Sequence, residues 1–222
     1  STPVVSQSIM KAIVPVGSIV NLPLAILSST TTSLATLRDV EEQARKSPGS
    51  LSYGSAGTGS IHHLIGESLK IERRLDILHV PYRGMAPAIP DLISGRIALM
   101  LTTAGSGGAM VKKNQARAIA VTSAKRSGAL PDTPTLNEQG VKGFDAQGWV
   151  GLFAPVGVSP QIIATLGTAL QRSLQSPELV RQEVDRNHNE LLRGTPDELG
   201  AMLRKDYDRW GKIIRDQGIR AE

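Results

Sequence analysis

The stretch Leu51-Ser52-Tyr53-Gly54-Ser55-Ala56-Gly57-Thr58-Gly59-Ser60-Ile61-His62-His63 passes from a short β-type run through a glycine-rich turn into a helical pattern. Gly54, Gly57 and Gly59 permit a tight turn and close backbone approach, and Ser60 stands where a helix cap belongs. Ile61, Leu64, Ile65 and Leu69 then recur on one side of a helix. Strand, glycine turn and helix in that order make one repeat of an α/β sheet.

Outward from this point the same alternation continues. Strand-like runs fall at residues 24–27, 51–53, 77–80, 97–101, 118–122 and 150–153, and the helical patterns between them predict parallel strands. One helix carries Leu34, Leu37, Val40 and Ala44, with Thr32 or Ser33 as its cap and Pro48-Gly49 as its stop. A long amphipathic helix carries Leu199, Leu203, Tyr207, Trp210 and Ile214, opened by Thr195-Pro196 and followed by Gly218. Its spacing makes Tyr207 and Trp210 core residues. Composition shifts near residues 24–30 and 149–160, which suggests two chain crossings between lobes. The segments are 1–30, a remnant of a first lobe with its crossing strand; 31–148, a second α/β lobe; and 149–222, a return strand followed by helices.

Composition narrows the function. The chain has 222 residues, 40% hydrophobic and 20% charged, which excludes disorder and allows one large or two small domains. No apolar run approaches the roughly 18–20 residues of a membrane span, and Ser1-Thr2-Pro3 lacks a signal-peptide layout. The absence of cysteine excludes disulfides, thiolate metal sites and cysteine nucleophiles. The four histidines, His62, His63, His79 and His188, show no metal-ligand spacing, so no metal is expected. Net charge is +5, and the surplus is local: residues 31–148 hold 14 basic and 10 acidic side chains, against ten of each over 149–222. That bias favours an anionic partner. The basic residues are scattered, however, and aromatics make up only 3%, too few for base stacking, so nucleic acid is not the expected partner.

Three strand ends carry the candidate chemistry. At the first, amides of the turn around Gly57, Thr58 and Gly59 and the positive end of the following helix can seat an anion, with the hydroxyls of Ser55, Thr58 and Ser60 adding directed bonds. The plainer alternative is a turn with a Ser60 cap. The P-loop lysine and the dinucleotide spacing are both missing, which argues against a phosphate cofactor, and no cofactor is called for. The second end reads His79-Val-Pro-Tyr82-Arg83-Gly84: Tyr82 offers a hydroxyl, Arg83 a fork suited to a carboxylate, and Gly84 an amide. Here the alternatives are a packing role for Tyr82 and a solvated charge for Arg83, while His79 reads as a hydrogen-bonded structural residue. The third end, Thr102-Thr103-Ala104-Gly105-Ser106-Gly107-Gly108, completes a mouth rich in donors and poor in acids, suited to a small organic anion. A rival enzymatic reading makes Ser60 and His63 the nucleophile and base of a hydrolase acting on a carboxylate or ester. No nucleophile elbow or third orienting group supports it.

The segments Tyr53-Gly-Ser-Ala-Gly-Thr-Gly-Ser60 with His63, His79-Val-Pro-Tyr-Arg-Gly84 with Ala86-Pro87, Ala120-Val-Thr-Ser-Ala-Lys-Arg-Ser127 with Leu130-Pro-Asp-Thr-Pro-Thr135, and Gly151-Leu-Phe-Ala-Pro155 occur in that order. Together they resemble the Bug, or tripartite tricarboxylate transporter, substrate-binding proteins, from about residue 24 to the C-terminus. The resemblance implies a periplasmic-binding-protein-like α/β fold, the Venus flytrap, that captures a small carboxylate in the periplasm for the membrane subunits of a transporter. It further implies that residues 57–60, His63, Tyr82, Arg83, Gly84 and Ala86 line the second lobe's side of the cleft, with Trp149 near the hinge. Thr58 stands where relatives often have Asn, and Thr102-Thr103 where a pair such as Asp-Asn is common.

By the same resemblance the chain consists of one complete α/β lobe and an incomplete second lobe contributed by its C-terminal helices. It is expected to be N-terminally truncated, with helices in 159–217 exposing apolar faces and promoting self-association. A truncated chain unable to bind ligand is a further alternative. No catalytic residue is expected.

Overall fold

The structure, a computed structural model, describes residues 7–220. These divide into two units, one built from residues 23–147 and the other from 7–22 with 148–220.

In the 23–147 unit, strands form where the β-branched and apolar runs lie. They are β1 (Ile13–Ser28, which follows the short helix α1 at Gln7–Ala12 and of which residues 23–28 belong here), β2 (Leu51–Ser55), β3 (Ile77–Pro81), β4 (Leu99–Thr103) and β5 (Arg117–Val121). Their order is β3-β2-β4-β1-β5. β2 pairs in parallel with both β3 and β4, as the alternation predicts. β1 departs from that expectation, running antiparallel to both β4 and β5. It enters the sheet directly from the preceding segment and not through a helical crossover, so nothing obliges it to run parallel.

Side chains alternate across this sheet, except where the β1–β5 register shifts between Ile26 and Leu27 and turns Ile119 to the face opposite Val121. Ala25, Leu27, Met100 and Val121 face one side, packing with Ala88 and Leu92 of α4 (Ala88–Ile93) and Ala104 and Met110 of α5 (Ala104–Lys112). Ile26, Leu99, Leu101 and Ile119 face the other, against Leu37 and Val40 of α2 (Leu37–Lys46) and Leu69 of α3 (Ile61–Arg73). A sheet covered by helices on both faces hides its apolar strands on each side. The start of α2 differs from the sequence expectation. Thr36 caps it, in a capping box with Asp39, and Leu34 is buried ahead of the helix. Asp39 decides this: its carboxylate accepts from the Ala35 and Thr36 amides, satisfying donors that neither Thr32 nor Ser33 could reach.

In the other unit, residues 13–22 of β1 pair with β6 (Gln147–Pro155) and, antiparallel, with β7 (Glu190–Leu191), a strand that the sequence reading of helices alone did not anticipate. Ser18 and Gly194 exchange two hydrogen bonds, 3.2 and 3.0 Å, which fix that edge. Three α-helices follow β6: α6 (Pro160–Ser173), α7 (Pro177–Val180) and α8 (Pro196–Asp216), with a π-helical turn at Arg181–Arg186. α8 begins as its sequence predicts, with Thr195 and Glu198 forming a capping box, and it buries Leu199, Trp210 and Ile214, whereas Leu203 and Tyr207, on the same predicted stripe, are only half-buried. α6 buries no residue: Ile162 and Leu166 are exposed, and beside them a groove of about 760 Å³ is lined by Val14, Val16, Ile163, Ala164 and Gly167. No helix among the described residues is long and apolar enough to cross a membrane.

Candidate functional site

Register brings the predicted segments of the 23–147 unit to one edge. Ser55 pairs with Pro81 and Gly54 with Met100, while Leu24 lies opposite Thr103. The carboxyl ends of β3, β2 and β4 therefore stand side by side, the position at which open α/β sheets hold ligands.

The glycine turn between β2 and α3 has a specific internal wiring. Gly57 and Gly59 adopt φ of +120° and +78°, conformations that a side chain would strain. The Gly57 amide donates to Ser55 Oγ at 3.1 Å, the Gly59 amide to His63 Nδ1 at 3.0 Å, and the Ser60 amide to the Gly57 carbonyl at 3.1 Å. Ser60 Oγ donates to that carbonyl at 2.7 Å and accepts from the His63 amide at 3.3 Å. These bonds correct one expectation: three of the turn's amides are already engaged within the protein. Those of Ala56 and Thr58, together with the first two helical amides at Ile61 and His62, find no acceptor among the described residues. The half-buried turn thus presents four open donors at the positive end of a 13-residue helix.

Beneath the turn lies a buried polar cluster. The His63 and His79 rings stack with centroids 3.7 Å apart and planes within 5°. His79 Nε2 is 2.6 Å from Ser55 Oγ, and the Tyr53 ring lies 5.0 Å from His79. Glu67 Oε1 accepts from Tyr53 Oη at 2.7 Å and Lys70 Nζ at 2.8 Å, and lies 3.8 Å from His63 Nε2. Burial holds the His63 imidazole below its ordinary value, and burial reinforced by the neighbouring His63 pushes His79 down to about 4. Burial and the adjacent Glu67 carboxylate raise the Tyr53 phenol.

At the second strand end, the Tyr82 amide donates to the Ser55 carbonyl and its hydroxyl to Asp91 Oδ2 at 2.8 Å, so the phenol's proton is committed. Asp91 also pairs with Arg96. Gly84, at φ +94°, gives its amide to the Tyr82 carbonyl. Ala86 is exposed and its carbonyl accepts from Ile89. Arg83 is exposed and forms no ion pair among the described residues. At the third end, Thr102 is buried on β4, while Thr103 caps α5, accepting from the Ser106 amide and donating to Ser106 Oγ at 3.0 Å. The first helical amides there, at Ala104 and Gly105, likewise find no acceptor among the described residues.

No hydrogen bond joins Ser60 Oγ to the His63 ring among the described residues, so the pair is not wired as nucleophile and base. The sequence reading assigned no role to His62, whose ring nitrogens are buried without a partner among the described residues. Nothing in its spacing distinguishes it from its neighbour. Trp149 lies on β6, where its Nε1 donates to Asp206 at 2.7 Å.

Residues 4–219 match the profile of the tripartite tricarboxylate transporter family receptor. A Pseudomonas sp. protein described as a UPF0065 protein in the tcbD-tcbE intergenic region is 31% identical over 209 residues. That match covers 94% of this chain but only 62% of the relative's length. BugT of Bordetella pertussis is 27% identical over 218 residues, 98% of this chain and 67% of BugT. Among solved structures, the periplasmic binding protein BugD superposes with a TM-score of 0.83 at 28% identity, over 95% of this chain and 71% of BugD. An R. palustris protein solved with adipate superposes with a TM-score of 0.84 at 29% identity, over 94% and 69% of the two chains. The profile match over nearly the whole chain, joined to these superpositions, places the chain in the tripartite tricarboxylate transporter receptor family.

Proposed function

We propose that this chain is a non-enzymatic periplasmic receptor that binds a small organic carboxylate and presents it to the membrane subunits of a tripartite carrier. The observation that carries the reading is the set of open main-chain donors at two adjacent strand-to-helix turns: Ala56, Thr58, Ile61 and His62 on one, Ala104 and Gly105 on the other. Bonds from amides to a carboxylate are charge-assisted, and two helix N-termini add their dipoles. Arg83 supplies an unpaired guanidinium at the same edge. Within this reading, Ser55, Gly57, Gly59, Ser60, His63, Tyr82 and Gly84 build and hold the mouth, with Thr103 capping its third loop, while Thr58, Arg83, Ala86 and Thr102 lie along it. The adipate found in a similar R. palustris protein supports a dicarboxylate as the ligand class.

Isothermal titration calorimetry of the chain against adipate, malate, citrate, an aromatic acid and an amino acid tests the proposal. Saturable heat with at least one carboxylate, weakened about tenfold or more in Arg83→Met, is the expected result. A flat response to every acid overturns it. Turnover of a carboxylic ester that disappears in Ser60→Ala would replace it with the hydrolase reading.

A further inference from the structure

The open amides are useful only if the turn keeps its shape, and two of the bonds that hold it end on histidine-linked atoms. Gly59 donates to His63 Nδ1, so that nitrogen carries no proton; Gly57 donates to Ser55 Oγ, which is itself bonded to His79 Nε2. The rings are stacked at 3.7 Å, so a proton on one raises the cost of a proton on the other.

We propose that the neutral His63–His79 stack is a positioning device for the glycine turn, and that acid protonation of the stack loosens the turn and releases the bound carboxylate. This deepens the function proposed above and rests on it for the ligand. A proton on His63 Nδ1 sets one N–H against another, and the Gly59 bond is lost. A proton on His79 makes Nε2 a donor to Ser55 Oγ, which still accepts from the Gly57 amide and gives its own proton to the Gly57 carbonyl at 3.2 Å, so the loosening falls on the Gly59 bond, with the second charge in the stack adding to its cost. The charged and titratable groups around the stack are Tyr53 from β2 and Glu67 and Lys70 from α3. Glu67 favours the charged stack and Lys70 disfavours it, while burial weighs on the side of the neutral rings. The stack therefore stays neutral around pH 7 and changes state only on acidification.

The experiment follows the ring carbons of both histidines and the amides of Gly57 and Gly59 by NMR from pH 7.5 to 4.5 in the full chain. In parallel, adipate affinity is measured by calorimetry at pH 7.5 and 5.0 for the wild type and for His63→Asn with His79→Gln, whose amide oxygens keep the acceptors but do not titrate. The expected result is that the Gly59 amide moves with the same midpoint as the His63 ring. Adipate affinity should also fall about tenfold more on acidification in the wild type than in the double variant, a difference that cancels the ligand's own protonation. A Gly59 amide that stays flat while the His63 ring titrates overturns the proposal, as does an equal acid loss of affinity in both proteins. The amide titration needs neither ligand nor variant. If no carboxylate binds at pH 7.5, the receptor reading fails, and the titration still decides the coupling of stack and turn.

Discussion

Replacing glycine by alanine inside a helix normally stabilises it by about 0.5–1 kcal/mol, because glycine loses the most backbone entropy on folding. In α3 the sign should reverse. A Cβ built on Gly66 would lie 2.5 and 2.6 Å from Tyr53 Cε2 and Cζ and 2.9 Å from its hydroxyl, well inside van der Waals contact. Tyr53 cannot yield cheaply: it is 2% exposed, and its hydroxyl donates to the buried Glu67. Overpacking of this kind costs about 1–3 kcal/mol, and displacing the phenol from a charged acceptor adds about 1.5 kcal/mol or more. After the propensity gain is subtracted, Gly66→Ala should destabilise by roughly 1.5–4 kcal/mol. Gly211 in α8 provides the internal control. There the new Cβ meets only Arg215 Nη1, at 3.3 Å, the free end of a flexible side chain, so Gly211→Ala should stabilise by up to about 1 kcal/mol. Urea denaturation of both variants, compared by midpoint at unchanged slope, decides the matter. If Gly66→Ala raises the midpoint as Gly211→Ala does, the close packing of Tyr53 on α3 is wrong, and with it the polar cluster built on that contact.

Three further outcomes follow from the same structure. Because burial and His63 push His79 down to about 4 from 6.5, the unfolded chain takes up protons first as pH falls, so the stability from the neutral ring is present above pH 6.5 and is lost between there and about 4. For this half-buried ring the loss is roughly 1–2 kcal/mol after solvent screening, and a His79→Gln protein showing the same acid loss in urea midpoint would refute the assignment. Thr195→Ala removes one side of the α8 capping box and should cost about 1 kcal/mol, recovered largely by Thr195→Ser; equal stability of all three proteins by denaturant titration would contradict the cap. The exposed Ile162 and Leu166 beside an apolar groove should drive association of two copies at high concentration, weakened in Leu166→Glu; light scattering that reports a monomer at every concentration would remove that surface from consideration.

Much of the fold was legible because its signals are local. The order Tyr53, glycine turn, Ser60 and an apolar helix face already contains β2, its turn and α3, and the Thr195-Pro196 start of α8 is a short-range cap. β1 was less legible. It runs 16 residues and passes through Pro15 and Pro23, residues that cannot donate to a sheet and so read as breaks. Its direction was hidden as well, since whether a strand runs parallel or antiparallel depends on the route into the sheet and leaves no mark in its own pattern of apolar residues. At α2 the deciding group was Asp39, three residues inside the helix, so a reading that looked only for the first hydroxyl before the pattern placed the cap too early.

The candidate site was legible in its materials and not in its accounting. Glycines, hydroxyls and Arg83 announce a mouth for an anion, but every amide has one proton to give, and sequence cannot say who receives it. Register supplies the answer: the pairing of Tyr53 with His79 sets their rings 5.0 Å apart, while α3 brings His63 into a stack on His79 with centroids 3.7 Å apart. From that arrangement two imidazoles and a serine come to hold the amides of Gly57 and Gly59, which frees the Ala56 and Thr58 amides from any structural duty. In the proposed receptor, alternate amides of one turn would thus divide shape from recognition. A substitution at His63 therefore acts on binding through geometry, whereas Arg83 acts by direct charge, and the two should differ in how affinity responds to salt. Loss of Arg83 flattens the salt dependence; loss of His63 weakens binding at every ionic strength alike.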